Sequence, residues 1–537
     1  MTNENAERSF PGFVVSPRRG LITFQSINQF CSTPPIRMPL IDKVLTIPIV
    51  LQQFFGEDRY FSHVLFTSLI LHFLIAGVYS NGLRWQLIPI YTAFIAYVLG
   101  AQWCSISLGL IGLLLEIVFR LPVVKFIAGP HSVGCVHYER KTGSSSSLPA
   151  IGAIFYPAQH PHSSSSPYFF LGDRHKLTRK LVKIWGSLLP LPSWILSHWA
   201  HVNCPVAMGV AALEEKMPVV VFCHGLAASR EMYTSLALSV ASNGALVLMV
   251  EHTDGSCVSA RFADGSTLDL KSFVFADTDI EISTRQEQNR VRVSNLTDAL
   301  NLLCDLNDGS LHVSEVMVGD KSEAGDCPCF TGRLQMDNLS LGGHSFGGAT
   351  VLGFTGLLPT SGDPAFTSIR ARIHVGACFL LDPALDWVPR EARLAVGLGL
   401  KPGIEHYWSA DQGEPLPIVP RTTNMLCMCS EEWVAFKPEW TSYGTQLFAT
   451  EQAAPGSHYL AIKGAGHIAL CDLPTFLPHQ VNVRVLKSVL PHSDAQKVLL
   501  TVNTVVTYWL RNVKMIDGTG GSLQTIEGTY NHVFRTE

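Results

Sequence analysis

Residues 341–350 read Leu-Gly-Gly-His-Ser-Phe-Gly-Gly-Ala-Thr, and they constrain this chain more than any other stretch. They contain Gly-x-Ser-x-Gly centred on Ser345, with Gly343 and Gly347 on either side. That pattern builds a nucleophile elbow, a tight turn between a strand and a helix that lifts a serine hydroxyl out of a sheet. Glycines flank the serine because its backbone is strained and its neighbours pack closely. The motif is short enough to match by chance, and the bland alternative is a glycine-rich turn in any α/β protein. Its context argues for the elbow. Asp337 to Leu341 reads as a short buried strand, and Ala349 to Phe354 as the start of a helix.

From Met217 onward the chain alternates strand and helix patterns. Expected strands are Pro218–Cys223, Ala245–Val250, Leu339–Leu341, Ala377–Leu381, Asn424–Cys429 and Ser457–Ile462. Expected helices are Arg230–Ala241, Gln286–Leu306 and a closing region over Val481–Trp509. Upstream, Val133–Tyr138 and Ile151–Tyr156 read as paired strands. Such alternation predicts a mostly parallel central sheet with helices on both faces, an α/β-hydrolase fold. Residues 308–335 and 388–422, rich in Gly, Asp, Glu and Pro, read as surface insertions.

The chain's 537 residues exceed one ordinary core, so two or three regions are expected. Apolar residues make up 47% and charged residues 15%, a balance that points to membrane segments. Residues 1–60 form a polar N-terminal segment, partly disordered, without the features of a secretory signal. Residues 61–122 then hold three apolar runs: Phe61–Tyr79, Leu87–Leu99 and Ile106–Leu121, the last carrying Glu116 and Arg120. They predict two to three transmembrane helices, with a buried helical hairpin as the alternative. The catalytic region then spans residues 123–515 and a tail 516–537. The sequence Lys176–Trp199 has helical spacing with Trp185, Trp194 and Trp199, and suits either a membrane surface or a core-packed helix. The 13 cysteines lack zinc or redox spacing and read as reduced thiols, which favours a catalytic region facing the cytosol. A net charge of −4 gives no case for nucleic-acid binding. His160 and His162 sit between serine runs and read as a solvated loop rather than a metal site; no metal or cofactor is expected. Asn295 and Asn338 fit glycosylation patterns inside a helix and a strand, and read as unmodified.

A serine nucleophile needs a base, an acid to orient the base, and donors for the oxyanion. In α/β-hydrolases the order is serine, then acid, then histidine. His467, in Lys463-Gly-Ala-Gly-His467 after an expected strand, is the candidate base. His479, His492 and His532 have no strand before them. The acid stays open among Asp382, Asp386, Glu431 and Glu432, all in the permitted order after strands. One oxyanion donor is the backbone N–H of Phe346, which follows the nucleophile. The other is the N–H of Leu226, in the loop Phe222-Cys-His-Gly225-Leu226, where small Gly225 lets the backbone approach the substrate.

Four stretches now combine. Phe222–Leu226, Val250–Ser256, Gly343–Thr350 and the opening strand Gly129–Cys135 resemble the platelet-activating-factor acetylhydrolases of the plasma and intracellular type II family. Leu380-Leu381-Asp382 and Gly464-Ala465-Gly466-His467 fall where that family carries its acid and base, which selects Asp382 over Glu431. The resemblance runs over residues 129–510. It implies a calcium-independent serine esterase acting on the sn-2 acetyl, short or oxidised acyl ester of a phospholipid, with the lipid bilayer as its working partner. The apolar region before residue 125 has no counterpart in the plasma enzyme. The longer connections Ser345–Asp382 and Asp382–His467 imply a reshaped acyl pocket. A broader carboxylesterase, a lipase or a phospholipase A on the same fold is the alternative, and an inert membrane lipid-binding protein a remoter one.

Overall fold

A computed structural model describes residues 88–118, 122–141, 148–159, 174–185, 196–271, 279–318, 327–359, 361–393, 396, 423–436, 454–477, 494–516 and 534–535. The backbone is a single large sheet with helices packed on it. Its strands are β1 (Ser132–Arg140), β2 (Ala150–Ala158), β3 (Ala207–Met208), β4 (Met217–Cys223) and β5 (Leu246–Glu251). After a small separate hairpin, β6 (Ser259–Arg261) with β7 (Thr267–Asp269), come β8 (Met317–Val318) and β9 (Leu334–His344). The set closes with β10 (Val375–Leu381), β11 (Asn424–Ser430), β12 (His458–Ile462) and β13 (Phe534–Arg535).

The order across the sheet is β13-β12-β11-β10-β9-β4-β5-β2-β1-β3, with β8 pairing with β1. From β5 to β12 every neighbouring pair is parallel. The β1–β2 hairpin joins this block antiparallel through β2–β5. Central strands read as continuous apolar runs because both faces are covered: all seven residues of β4 and of β10 are buried. The fold is therefore the mixed α/β sheet expected, with the second strand antiparallel as in α/β-hydrolases.

Topology decides where chemistry can sit. After β4 the chain adds β5 on one side, then crosses back through helix α5 (Asp279–Asp308) to lay β9 on the other side of β4. The strand order reverses between β4 and β9, and the crevice at their carboxyl ends is where open α/β sheets bind ligands. The loop after β4 and the elbow after β9 both open there.

Several elements differ from their sequence readings. β9 begins at Leu334 and β8 pairs with β1, so part of the 308–335 stretch belongs to the sheet. The expected Arg230 helix begins as a tight turn over Arg230–Tyr233, and the regular helix α4 runs Thr234–Ala241. The closing helix α8 runs Ala495–Asn512, started by Asp494, whose side chain accepts from the Gln496 N–H. Helix α3 (Arg174–Trp185) packs on the core: Leu181 is buried, and the Trp185 indole donates to the Ala227 carbonyl at 2.8 Å. Asn295 is buried and its side-chain oxygen accepts from the Thr253 N–H, which excludes a glycan there. His160, His162 and most of 388–422 lie outside the described residues.

The membrane-spanning expectation finds no support among the described residues. Among the described residues no helix is long and apolar enough to cross a membrane. The second run forms helix α1 (Ile88–Val98), 11 residues. Gly100, with φ +77°, turns the chain just beyond it. The third run forms α2 (Gln102–Val118), 17 residues. The two helices pack on each other, with Gly112 against the Ile90 side chain. The first run, Phe61–Tyr79, lies outside the described residues.

Helix α6 (Phe346–Leu357) starts on top of the end of β4. A Cβ on Gly347 would overlap the Cys223 carbonyl, and one on Gly343 would overlap the Gly347 backbone. We expect Gly347→Ala to destabilise the protein by roughly 1–3 kcal/mol, as overpacking against unyielding backbone does. Chemical denaturation reads this, and an unchanged midpoint would refute the close approach.

Candidate active site

Ser345 sits between β9 and α6 with φ 55° and ψ −116°, a conformation that L-residues rarely adopt. Its N–H donates to the Leu381 carbonyl, and its carbonyl accepts from Gly348 and Ala384, so the surrounding ladder imposes the strain. Two of the other three non-glycine residues with positive φ are Asp382 (45°) and Ala227 (52°). Backbone strain thus gathers at the three turns that the sequence marks for chemistry.

The four candidate acids separate cleanly. Asp382 Oδ2 lies 2.9 Å from His467 Nδ1. The same carboxylate accepts from the Ser430 N–H (2.6 Å) and the Ser430 hydroxyl (2.7 Å), and it is fully buried. Glu431 accepts from the Gly464 N–H and Glu432 from the His467 N–H, both at 2.6 Å, so they brace the backbone of the histidine loop rather than its ring. Asp386 lies in the 3-10 turn Leu385–Trp387, where its backbone carbonyl accepts from Gln286.

His467 is held between two rings. Trp433, in helix α7 (Glu431–Phe436), stacks on it at 4.3 Å with planes 13° apart. His344, the residue before Ser345, lies on it at 4.5 Å with planes 34° apart. Burial, and after it the charge on His467, holds the His344 imidazole well below its usual pKa, so His344 is neutral. Its Nδ1 pairs with the Tyr233 hydroxyl at 2.8 Å, and that hydroxyl accepts the Gly225 N–H at 3.2 Å. One chain of contacts therefore links base, elbow and the loop after β4.

That loop is equally well fixed. A Cβ on Gly225 would stand 3.3 Å from the Ser345 Cβ, which shows how close the two turns come. The N–H groups flanking Leu226 are both taken, Gly225 by Tyr233 and Ala227 by the Ser256 carbonyl. The Leu226 N–H has no backbone acceptor among the described residues. Phe346 opens α6, where first-turn N–H groups have no partner within the helix. Two N–H groups thus remain available beside a strained serine.

Two side-chain groups have spacings that could hold a metal: His224, Glu251 and Cys257, and His344, Asp382 and His467. Hydrogen bonds account for the first. Glu251 Oε1 lies 3.1 Å from His224 Nε2 and accepts from the Cys257 thiol at 3.0 Å, with the Arg230 guanidinium 3.7 Å from its other oxygen. Burial, then Glu251, pushes the Cys257 thiol well up, so it stays protonated. In the second group His467 Nδ1 is paired with Asp382 Oδ2.

Sequence reasoning did not single out Ser430, Trp433, Tyr233 or Arg292, whose guanidinium packs over the Phe346 ring. Ser430 and Trp433 adjoin Glu431 and Glu432, and Tyr233 follows Gly225 by eight residues, but no local pattern marks any of them.

Residues 119–369 match the family model for platelet-activating factor acetylhydrolase, isoform II. Among curated proteins, the chain is 31% identical over 217 residues to the platelet-activating factor acetylhydrolase of Canis lupus familiaris, covering 37% of this chain and 45% of that one. The corresponding protein of Bos taurus is 30% identical over 217 residues, with the same coverage of 37% and 45%. A protein of Schizosaccharomyces pombe named putative phospholipase A2 is 28% identical over 159 residues, 25% of this chain and 34% of that one. The matched stretch thus spans less than half the length of these relatives. The family-model match includes the β4 loop and the elbow, while Asp382 and His467 lie beyond residue 369, so their assignment rests on geometry.

Asp382 depends on Ser430 for two of its three hydrogen bonds. Ser430→Ala removes the hydroxyl donor and keeps the N–H. Losing one bond to a charged group costs about 1.5 kcal/mol, which lowers kcat by roughly tenfold. Steady-state kinetics on an activated acetate ester test this. A kcat equal to wild type would remove Asp382 from the base-orienting role.

Proposed function

We propose, from the premise that residues 119–369 carry the platelet-activating factor acetylhydrolase isoform II domain, that this protein is a serine esterase of phospholipids. It hydrolyses an sn-2 ester bearing an acetyl or other short or oxidised acyl chain. The observation that carries the reading is the 2.9 Å pairing of Asp382 with His467 Nδ1, at the same crevice as the strained Ser345.

The chemistry follows. With Nδ1–H donated to Asp382, His467 presents Nε2 as base and takes the Ser345 proton as Oγ attacks the ester carbonyl carbon. The carbonyl electrons move onto oxygen, which the Leu226 and Phe346 N–H groups receive. Collapse breaks the sn-2 C–O bond, and His467 returns its proton to the leaving lysophospholipid oxygen. Water then attacks the acyl-enzyme with His467 again as base, and the carboxylic acid departs. Asp382 stabilises the transient imidazolium by charge, and the stacked Trp433 face adds a cation–π contribution. Every proton in this sequence is carried by His467 or water, so the scheme calls for no calcium.

The family name of the mammalian relatives supports the acetyl class, and the Schizosaccharomyces pombe relative's name supports a phospholipase A on longer chains as the second reading. A purified-protein panel from acetyl to palmitoyl at sn-2 separates them: activity falling steeply with length supports the first, and a flat or rising profile supports the second. Ser345→Ala should lower either activity by several powers of ten. Equal turnover in that variant would leave Ser345 without its role.

Access to such a substrate is the second half of the proposal. Helices α1 and α2 expose Ile95, Leu99, Trp103, Leu110 and Leu114, with Trp103 83% and Leu99 78% exposed. We propose that this hairpin rests on a lipid surface, with the catalytic region in the cytosol. The double variant Trp103→Asp, Leu114→Asp should lower co-sedimentation with phosphatidylcholine vesicles at least about tenfold, since each lost anchor is worth roughly 1.5–3 kcal/mol. It should leave turnover of a water-soluble ester near wild type. Unchanged sedimentation would exclude the hairpin as the contact.

A further inference from the structure

The proposed oxyanion hole is built from two separate pieces of chain, the loop after β4 and the start of α6. Gly347 lets the two pieces approach closely, against the Cys223 carbonyl. One side chain touches both. Arg292, in the middle of α5, is completely buried. Its Nη2 donates to the His224 carbonyl at 2.8 Å, lies 3.4 Å from the Gly225 carbonyl, and stands 3.2 Å from His224 Nδ1. Its Nη1 donates to the Thr350 hydroxyl at 3.3 Å, and that hydroxyl donates in turn to the Phe346 carbonyl at 3.0 Å. Its plane lies over the Phe346 ring, 4.2 Å from Cζ to centroid. Its Nε donates to Ser256 Oγ at 3.1 Å, and Ser256 supplies the carbonyl that takes the Ala227 N–H. Asp254 Oδ2, 3.5 Å from Nε, is the carboxylate beside it, and Asp254 also accepts from the Ser256 hydroxyl at 2.6 Å.

We infer that Arg292 is a positioning residue that sets the spacing between the Leu226 and Phe346 N–H groups. The inference rests on reading those groups as the oxyanion donors. Three features support it. A guanidinium is a rigid planar fork, so contacts on its edges and face fix the relative positions of what they touch. Burying a full cation costs several kcal/mol unless it is well paired. Here most partners are neutral: carbonyls, hydroxyls and a ring face. A core arginine serving stability alone is usually no better than an apolar residue of its size. A role in geometry accounts for the placement. Finally, the carbonyls it draws in belong to residues 224 and 225, so it aligns the Gly225–Leu226 peptide, whose N–H then points into the crevice. Thr350 and Phe346 anchor the other end.

The pair Arg292→Lys and Thr350→Val tests this on the purified full chain. Lysine keeps the charge and loses the fork. Turnover is measured with p-nitrophenyl acetate, a substrate independent of any phospholipid preference, and normalised to sites counted with a fluorophosphonate probe. We expect Arg292→Lys to lower kcat per counted site by about a hundredfold, the scale of losing one oxyanion donor. KM should stay within about twofold, and inhibition by a trifluoromethyl ketone should weaken by about the same hundredfold, because both losses belong to the tetrahedral state alone. Thr350→Val should show the same pattern at roughly tenfold, and it decides the matter if Arg292→Lys does not fold. A merely structural role would lower the number of counted sites and leave kcat per site and ketone affinity unchanged, which overturns the inference. A wild-type protein that neither labels nor turns over the ester overturns the serine-esterase reading and the inference with it. Ester turnover without phospholipid turnover overturns only the substrate class.

Discussion

The close approach of α6 to the end of β4 is the constraint on which the site depends. Gly343 and Gly347 permit it, since side chains at either would overlap backbone. It forces Ser345 into a left-handed conformation at φ 55°, and a hydrogen bond from the Ser345 N–H to Leu381 on β10 holds it there. The strain is paid for by the buried parallel strands on both sides. Because β4 and β9 are adjacent and parallel, the approach also brings two turns from distant parts of the chain into contact. Without it the hydroxyl, the two spare N–H groups and His344 would not share a crevice.

Much of this was legible from local pattern. A nucleophile elbow has fixed chemistry, so Ser345, Gly343, Gly347 and Phe346 followed from spacing. The β4 run and its Gly225-Leu226 turn followed from apolar continuity. The acid did not, because any carboxylate after a strand satisfies the order rule. Asp382 and Glu431 differ only in what they reach: a ring nitrogen in one case, a loop N–H in the other. That is a three-dimensional distinction between residues about one strand apart. Ser430, Trp433, Tyr233 and Arg292 were invisible for the same reason, since each acts across the sheet on a partner far away in sequence.

The apolar runs before residue 125 show a different limit. Hydropathy reported composition correctly, but it did not see the turn at Gly100. That turn divides the described stretch into helices of 11 and 17 residues. The described part of this region is a hairpin with a broad exposed apolar face.

The site also shows how a neutral histidine can serve a catalytic one. His344 stacks on His467 and would repel it if charged. Burial keeps His344 neutral, and the Tyr233 hydroxyl supplies the polar partner that burial would otherwise deny. On the opposite face Trp433 offers a π surface, which favours an imidazolium. In the proposed mechanism both faces tolerate the charge that His467 would gain on taking the serine proton, and Asp382 would meet that charge at Nδ1. The base is confined in position by two rings and a carboxylate, yet each contact is compatible with both of its protonation states. That combination suits a group that must take a proton and return it without moving.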